Sequence, residues 1–381
     1  MVRNICVVIT ARPSYSRIRS LLTAIKKSKK LNLQLVTTSS ANLTRYGNVE
    51  KIIEKDGFKI NHKLYNLIEG DDITTPAKTT GLAIIELSSI FKTLNPDCIV
   101  TIADRFETIS NAIAASFMNI PLIHIQGGEV TGNIDEKVRH SISKLSDFHF
   151  VSNEDAKKRL IKMGENKKTI FNYGCPSIDI AVDLEEINND IISKYSFLGN
   201  QLDISKKFIV VLTHPVTTEY INQKRNISEL ILSIKNLPYQ VVWLWPNVDL
   251  GTDIISKELR IFASDKSSKN VSFIKNLDSI DFLKLLNKSS CLVGNSSVGI
   301  RECEYLGVPV VNIGHRQNKR ARGRNVIDIK DFSSKLIEEA ILNQVNKQKY
   351  TTEYIYGDGK AGKRIAKKLE DLILTFKKVI T

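Results

Sequence analysis

The chain has 381 residues, 42% of them hydrophobic and 25% charged, a balance that excludes a disordered or fibrous polymer and supplies apolar material for two domain cores. Its 55 lysines and arginines outnumber 41 aspartates and glutamates, for a formal net charge of +14. That excess suits a phosphorylated ligand, whereas dispersed lysines and few aromatics argue against a nucleic-acid face. The five cysteines form no CxxC pair, which points to free buried thiols, and no stretch approaches the roughly 20 apolar residues of a membrane span. The expectation is a soluble cytoplasmic protein with neither nucleic acid nor membrane as partner.

The first element in chain order is a strand, "ICVVIT", followed by "TARPSYSRI". Arg12 and Pro13 sit at the turn, and Ser14 is the expected N-cap of the next helix. Arg12 suits a phosphate held there or, equally, a solvated loop. The pattern lacks the GxGxxG of a conventional dinucleotide site. Further apolar runs, "LQLVTT", "DCIVTIA", "PLIHIQ" and "FHFVS", alternate with helix-length segments. The rhythm returns with "KFIVVLTHP", "YQVVWLWP", "VSFIK", "CLVGNSS" and "VPVVNIG". Continuous apolar strands separated by helices indicate parallel sheets covered on both faces, an α/β fold.

The polar stretch 183–207 breaks the rhythm and reads as a linker. The expected organisation is a Rossmann-like domain over 1–182, a second over 208–356, and a C-terminal helix over 357–381. Ile365, Leu369, Leu372, Ile373 and Phe376 give that helix an apolar stripe suited to a return onto the first domain.

Open parallel sheets bind ligands beyond the carboxyl ends of their strands, and the polar clusters fall there. "TIADRFET" places Asp104, Arg105 and Glu107 after one strand; Asp104 fits either a reactive carboxylate or a helix cap. "HIQGGE" places Glu129 after Gly127 and Gly128, a pair that permits positive φ and close approach of a ligand or of neighbouring backbone. In the following "GNIDEKVRH", a regular helix sets Asp135 and Arg139 on one face, likewise Glu136 and His140, with Ile142 and Leu145 towards the core.

In the second half His214 follows a strand and Pro215 turns the chain. Gly294, Asn295, Ser296 and Ser297 then form a turn expected to open a helix ending at Gly307. Such a turn offers backbone N–H groups and hydroxyls to a diphosphate without a Walker lysine, and Glu302 falls within reach of ribose hydroxyls. The run "HRQNKRARGR" at 315–324 concentrates positive charge. With no HxxH, HExxH or paired-cysteine spacing, neither a metal nor another cofactor is expected.

The segments "ADRFE", "HIQGGEVTGNIDEKVRHSISKLS", "GCPSID", "THPVTTE", "GNSSVGIRE", "GVPVVNIG" and "RQNKR" together resemble the UDP-N-acetylglucosamine 2-epimerase family, its hydrolysing branch above all, which serves sialic-acid-type biosynthesis. The resemblance implies a glycosyltransferase-B type fold, two Rossmann-like domains facing each other across a cleft, in a homodimer acting on a nucleotide sugar. The implied chemistry is elimination then hydration: a base takes the C2 proton, the nucleoside diphosphate leaves C1, and water adds with inversion at C2.

The resemblance makes Asp104, Glu129 and Asp135 the acid and base carboxylates, with Arg139 or His140 orienting or stabilising them. Arg12, His214, Gly294, Ser296 and Ser297 carry over to the diphosphate and Glu302 to the ribose. Arg316, Gln317 and Arg320 close the nucleotide side. Carboxylates this close push each other's pKa values apart, so one donates while another accepts; which does which stays open. Many relatives have a TGxH-like motif after the second strand, where this chain reads "TTSSAN" at 37–42; that histidine's role is either absent or supplied by another residue, such as His62. The sugar, and UDP against GDP, stay open with it. A non-hydrolysing epimerase, a glycosyltransferase of the same fold and a nucleotide-sugar-binding regulator are the alternatives.

Overall fold

The computed structural model describes residues 2–44, 47–70, 72, 74–102, 105–131, 134–216, 221–246, 252–275 and 277–374, and only the backbone of 134 and 135. Asp104 and the side chain of Asp135 therefore lie outside the described residues, as do Thr217, Thr218 and Glu219 of "THPVTTE" and Phe376. The chain divides into two compact units. The first comprises Met1–Glu129, Ile134–Ile180 and Tyr356–Thr381; the second comprises Val130–Asn133 and Ala181–Ile355.

The strands of the first unit are β1 (Arg3–Ile9), β2 (Leu31–Thr38), β3 (His62–Leu64), β4 (Cys98–Ile102), β5 (Leu122–Ile125), β6 (Phe148–Val151) and β7 (Ile170–Asn172). Its helices are α1 (Arg12–Lys27), α2 (Val49–Lys55), α3 (Thr75–Leu94), α4 (Ile109–Phe117), α5 (Ile134–Leu145), α6 (Glu154–Lys162) and, after the whole second unit, α13 (Ala361–Asp371). The sheet order is β3-β2-β1-β4-β5-β6-β7, and every pairing is parallel.

The near-continuous apolar character of β1 follows from burial on both faces. Ile5, Val7 and Ile9 join the core under α1 and α13, while Cys6 and Val8 join the core under α3 and α4. The C-terminal helix α13 returns to this unit: Asp179 caps it by accepting the N–H groups of Ala361 at 2.9 Å and Gly362 at 2.7 Å. It ends at Asp371, and Ile373, expected on its apolar stripe, is exposed. A second expectation fails at α1, where the N-cap is Ala11, not Ser14. Pro13 fits the first turn without an N–H to satisfy, which moves the helix start upstream.

The second unit holds β8 (Ser196–Gly199), β9 (Phe208–Leu212), β10 (Gln240–Leu244), β11 (Val271–Ile274), β12 (Cys291–Gly294), β13 (Val310–Ile313) and β14 (Val326–Ile329). With them are α7 (Asn189–Ser193), α8 (Gln223–Lys235), α9 (Thr252–Ala263), α10 (Ser279–Lys288), α11 (Glu302–Leu306) and α12 (Ser334–Val345). The order is β14-β13-β12-β9-β10-β11-β8, parallel except that β8 runs antiparallel along β11. The stretch 183–207 thus contributes α7 and an edge strand. Leu259, Ile337 and the stacked Trp243 and Phe273 lie in its core.

Apart from the edge strands β7 and β8, both sheets have the same order, with the first of the six remaining strands beside the fourth: β1 beside β4, and β9 beside β12. The connections leave these strand pairs in opposite directions, and the gap this opens is where doubly wound sheets bind ligands. Arg12, Asp104, His214 and Ser296 all follow one of these four strands.

All five cysteines are buried and free. Burial pushes the Cys6 thiol up to about 12 and raises those of Cys98, Cys291 and Cys303, which keeps them unreactive. Among the described residues, no helix is long and apolar enough to cross a membrane, and no group of His, Cys, Asp and Glu is placed to hold a metal.

Candidate functional site

In the first unit the loops after β1 and β4 meet through Thr10 Oγ1 and Thr108 Oγ1, 3.5 Å apart. Thr10 also lies 3.3 Å from the Ser14 hydroxyl, which is buried inside α1. Arg12 is the first residue of α1, with its guanidinium end beside Gly47. Arg105 Nε pairs with the buried Glu107 carboxylate at 2.7 Å.

The turn after β5 explains its glycines. Gly128 has φ +76°, and a Cβ there would stand 2.4 Å from the Ala156 carbonyl of α6; backbone packing, not ligand approach, forbids a side chain. Glu129, 3% exposed, ends this turn. Arg139 is also buried and donates from Nη1 to the Glu129 carbonyl at 2.9 Å. It turns inwards beneath the glycine turn, and Arg159 supports the same turn from α6 by donating to the Gly128 carbonyl. His140 lies 3.8 Å from Glu136 on the half-buried side of α5. Burial lowers its pKa and Arg139 and Arg159 add to that, against a raising influence from Glu136.

Helix α5 is pinned by groups the strand pattern conceals. His124 and His149 are register partners on β5 and β6 and both are fully buried. His124 Nδ1 lies 3.1 Å from Ser143 Oγ of α5. His149 Nε2 lies 3.2 Å from one Glu165 oxygen, and the other is 2.8 Å from Lys144 Nζ, also of α5. The sequence signal was a histidine inside each of two apolar strands, "LIHI" and "FHFV", where a buried imidazole requires a partner.

In the second unit, Asn295 organises the switch point. Its side chain bonds both backbone groups of His214 at 2.8 Å. Its carbonyl accepts from Gln317 Nε2 at 2.9 Å and Arg316 Nη1 at 3.3 Å. Gly294 has φ +145°, and a Cβ there would stand 1.9 Å from the Leu212 carbonyl. Beyond it the chain does not enter a regular helix at once. Residues 297–301 form successive turns, and α11 begins only at Glu302. The expected single helix is displaced because Ser296 folds back, its hydroxyl accepting the Val298 N–H at 3.4 Å. Ser296 and Ser297 remain partly exposed, while Glu302 is buried with Oε2 3.8 Å from Arg301 Nε.

The basic run at 315–324 is tied down internally. Arg320 Nε donates to the Val130 carbonyl at 2.7 Å, Arg322 pairs with Asp328, and Arg324 pairs with Glu353 at 3.1 Å. In the second unit the structure thus gathers His214, Gly294, Ser296, Ser297, Arg316 and Gln317 around Asn295. In the first it joins Arg139 to the Glu129 turn and His140 to Glu136.

The family model described as UDP-N-acetylglucosamine 2-epimerase matches residues 23–370. The chain belongs to the UDP-N-acetylglucosamine 2-epimerase family. Among its relatives in that family is the UDP-N,N'-diacetylbacillosamine 2-epimerase (hydrolyzing) of Legionella pneumophila, 33% identical, with 98% of this chain and 97% of the relative covered. The GDP/UDP-N,N'-diacetylbacillosamine 2-epimerase (hydrolyzing) of Campylobacter jejuni is 34% identical over 86% of this chain and 84% of its own. The solved UDP-GlcNAc 2-epimerase of Neisseria meningitidis, bound to UDP-GlcNAc, superposes with a TM-score of 0.80 at 19% identity, covering 96% of this chain and 99% of that one. The likeness shows that this 2-epimerase family member has the fold of that enzyme, with two parallel-sheet α/β domains of glycosyltransferase-B type.

Proposed function

We propose that the chain is a hydrolysing 2-epimerase. It converts UDP-N-acetylglucosamine, or a close nucleotide-sugar analogue such as a diacetylated sugar, to UDP and the free 2-epimeric sugar, N-acetylmannosamine for the parent substrate. The observation that carries this reading is the match along nearly the whole chain to relatives named as hydrolysing.

A base takes the proton from C2 as the C1–O bond breaks, and that bond's electron pair leaves with the diphosphate, giving a glycal. Water then delivers hydroxide to C1 and a proton to C2 from the opposite face. Asp104, Glu129 and Asp135 are the acid and base groups, with Arg139 or His140 orienting or stabilising them. The buried setting of Glu129 supports that role, since desolvation and neighbouring charge tune a carboxyl for proton transfer. Arg12, His214, Gly294, Ser296 and Ser297 bind the diphosphate, Glu302 the ribose, and Arg316, Gln317 and Arg320 brace the nucleotide loop. The four loops at the two switch points support this assignment, because that is where such sheets hold ligands. No metal or other cofactor takes part.

The protein works in the reducing cytoplasm, as its five free thiols favour, and assembles as a homodimer. The exposed Leu82 and Ile85 on α3 and Phe117 ending α4 suit such a contact.

Incubation with UDP-N-acetylglucosamine, and separately with UDP-N,N'-diacetylbacillosamine, followed by proton NMR in heavy water, tests the reaction. Free UDP, free 2-epimer and deuterium at C2 are expected. Accumulation of the epimeric UDP-sugar without free UDP assigns the non-hydrolysing branch. Sugar transfer without exchange at C2 assigns a glycosyltransferase.

A further inference from the structure

The turn after β12 contains a buried cation with no role in the reading above. Arg301 is 2% exposed and immediately precedes Glu302. Its Nη2 donates to Ser297 Oγ at 2.9 Å, and its backbone N–H donates to the Ser297 carbonyl at 3.1 Å. Its Nε lies 3.8 Å from Glu302 Oε2. One guanidinium therefore touches both a partly exposed hydroxyl and a buried carboxylate.

We propose that Arg301 is a positioning residue for the nucleotide diphosphate, acting through Ser297 and Glu302. The inference rests on the reading of this turn as the nucleotide site. A serine hydroxyl has one hydrogen and two lone pairs. With one lone pair taken by Arg301, the hydrogen points away from the guanidinium, and Ser297 is set as a donor before any ligand arrives. A donor already oriented loses little freedom on binding and needs no reorganisation as negative charge builds on the leaving oxygen.

The second effect is electrostatic. Glu302 places a carboxylate in the turn proposed to receive a diphosphate, and like charges at short range in a poorly solvated site repel strongly. The Arg301 guanidinium offsets that charge, so a carboxylate for ribose hydroxyls and a polyanion share one turn. Lysine would keep the charge but lose the planar fork that reaches two acceptors at once.

The test is a double-mutant cycle on the full-length protein, with UDP and uridine as probes in calorimetry and KM and kcat followed in turnover. Wild type is measured first: failure to bind UDP overturns the nucleotide reading of the turn, and this proposal with it. Given UDP binding, Arg301→Met is expected to weaken UDP by roughly 10-fold to 100-fold, while uridine binding stays within about twofold. KM should rise more than kcat falls, because the bond is present before the transition state. Ser297→Ala should weaken UDP by about tenfold, and adding it to Arg301→Met should cost little more, because the two share one interaction. Should Arg301→Met fail to fold, the cycle is run with Arg301→Lys, whose UDP affinity should fall between wild type and the Ser297→Ala, Arg301→Lys double variant. Multiplying single effects, an equal loss of UDP and uridine, or undiminished UDP binding by Arg301→Met would each overturn the proposal.

Discussion

Asn295 and His214 are joined by reciprocal hydrogen bonds: the His214 N–H donates to Asn295 Oδ1, and Asn295 Nδ2 donates to the His214 carbonyl, both at 2.8 Å. The pair ties the loop after β9 to the loop after β12, the two loops of the second switch point. Asn295→Asp keeps the acceptor, removes the donor and adds negative charge where a diphosphate is proposed to bind. UDP affinity should fall by roughly 10-fold to 100-fold, and Asn295→Ala should cost about 1 kcal/mol of stability by leaving half-buried backbone groups without these partners. Calorimetric titration with UDP and urea unfolding read the two effects. An Asn295→Asp protein that binds UDP like wild type would show that other contacts hold the loops.

Glu165 tests how the first unit holds α5. Its carboxylate lies 3.2 Å from His149 and 2.8 Å from Lys144, and is 1% exposed. Glu165→Leu removes the shared acceptor and strands a buried imidazole, for an expected loss of about 3 to 5 kcal/mol. Glu165→Gln retains an oxygen and should lose less. Equal urea midpoints for wild type and Glu165→Leu would mean the network contributes nothing net.

The sheets were legible because a parallel strand buried on both faces must be apolar throughout, as "ICVVIT" and "KFIVVLTHP" are. Strand order was not, since apolarity says nothing about which neighbour a strand takes. Polar residues at strand ends were visible because no core requires them there. The positive φ and close approach at Gly128 were legible, but not which group approaches, because Gly128 and Gly294 answer to Ala156 and Leu212, carbonyls distant in sequence or on another strand. The inward turn of Arg139 escaped a helical-face argument, which pairs i with i+4 on the surface and is blind to a backbone carbonyl above the helix.

His140 makes the pH dependence specific. Burial first, then Arg139 and Arg159, hold its pKa below the ordinary 6.5 despite Glu136. The folded protein therefore binds fewer protons at this site than the unfolded chain. Its contribution to stability is fully present above about 6.5. That contribution is lost as pH falls from there through the lower folded value. Glu136→Gln removes the raising influence and should move the His140 titration further down, as followed by its ring resonances in NMR. A titration at or above 6.5 in wild type would refute the assignment.

Exposed apolar side chains on α3 and α4 bear on assembly. Ile85 is 64% and Phe117 85% exposed, an arrangement that a second copy would relieve. Light scattering should give a dimer for wild type and a monomer for Ile85→Lys combined with Phe117→Lys. A dimer in the double variant would place the contact elsewhere.

Glu129 carries the sharpest test of the acid and base assignment. Glu129→Gln keeps shape and hydrogen-bonding capacity while removing the titrating group, and the Arg139 bond to the Glu129 carbonyl does not depend on that side chain. Turnover should fall by roughly 10²-fold to 10⁴-fold, the usual worth of a general acid or base. UDP affinity should change by no more than about twofold, because the diphosphate contacts proposed for the second unit are untouched. Deuterium exchange at C2 then locates the defect. If Glu129 acts in the elimination, as the base at C2 or in departure of the diphosphate, exchange falls with turnover; if it assists only the later addition of water, exchange persists while product formation fails. Unchanged turnover would remove Glu129 from the chemistry.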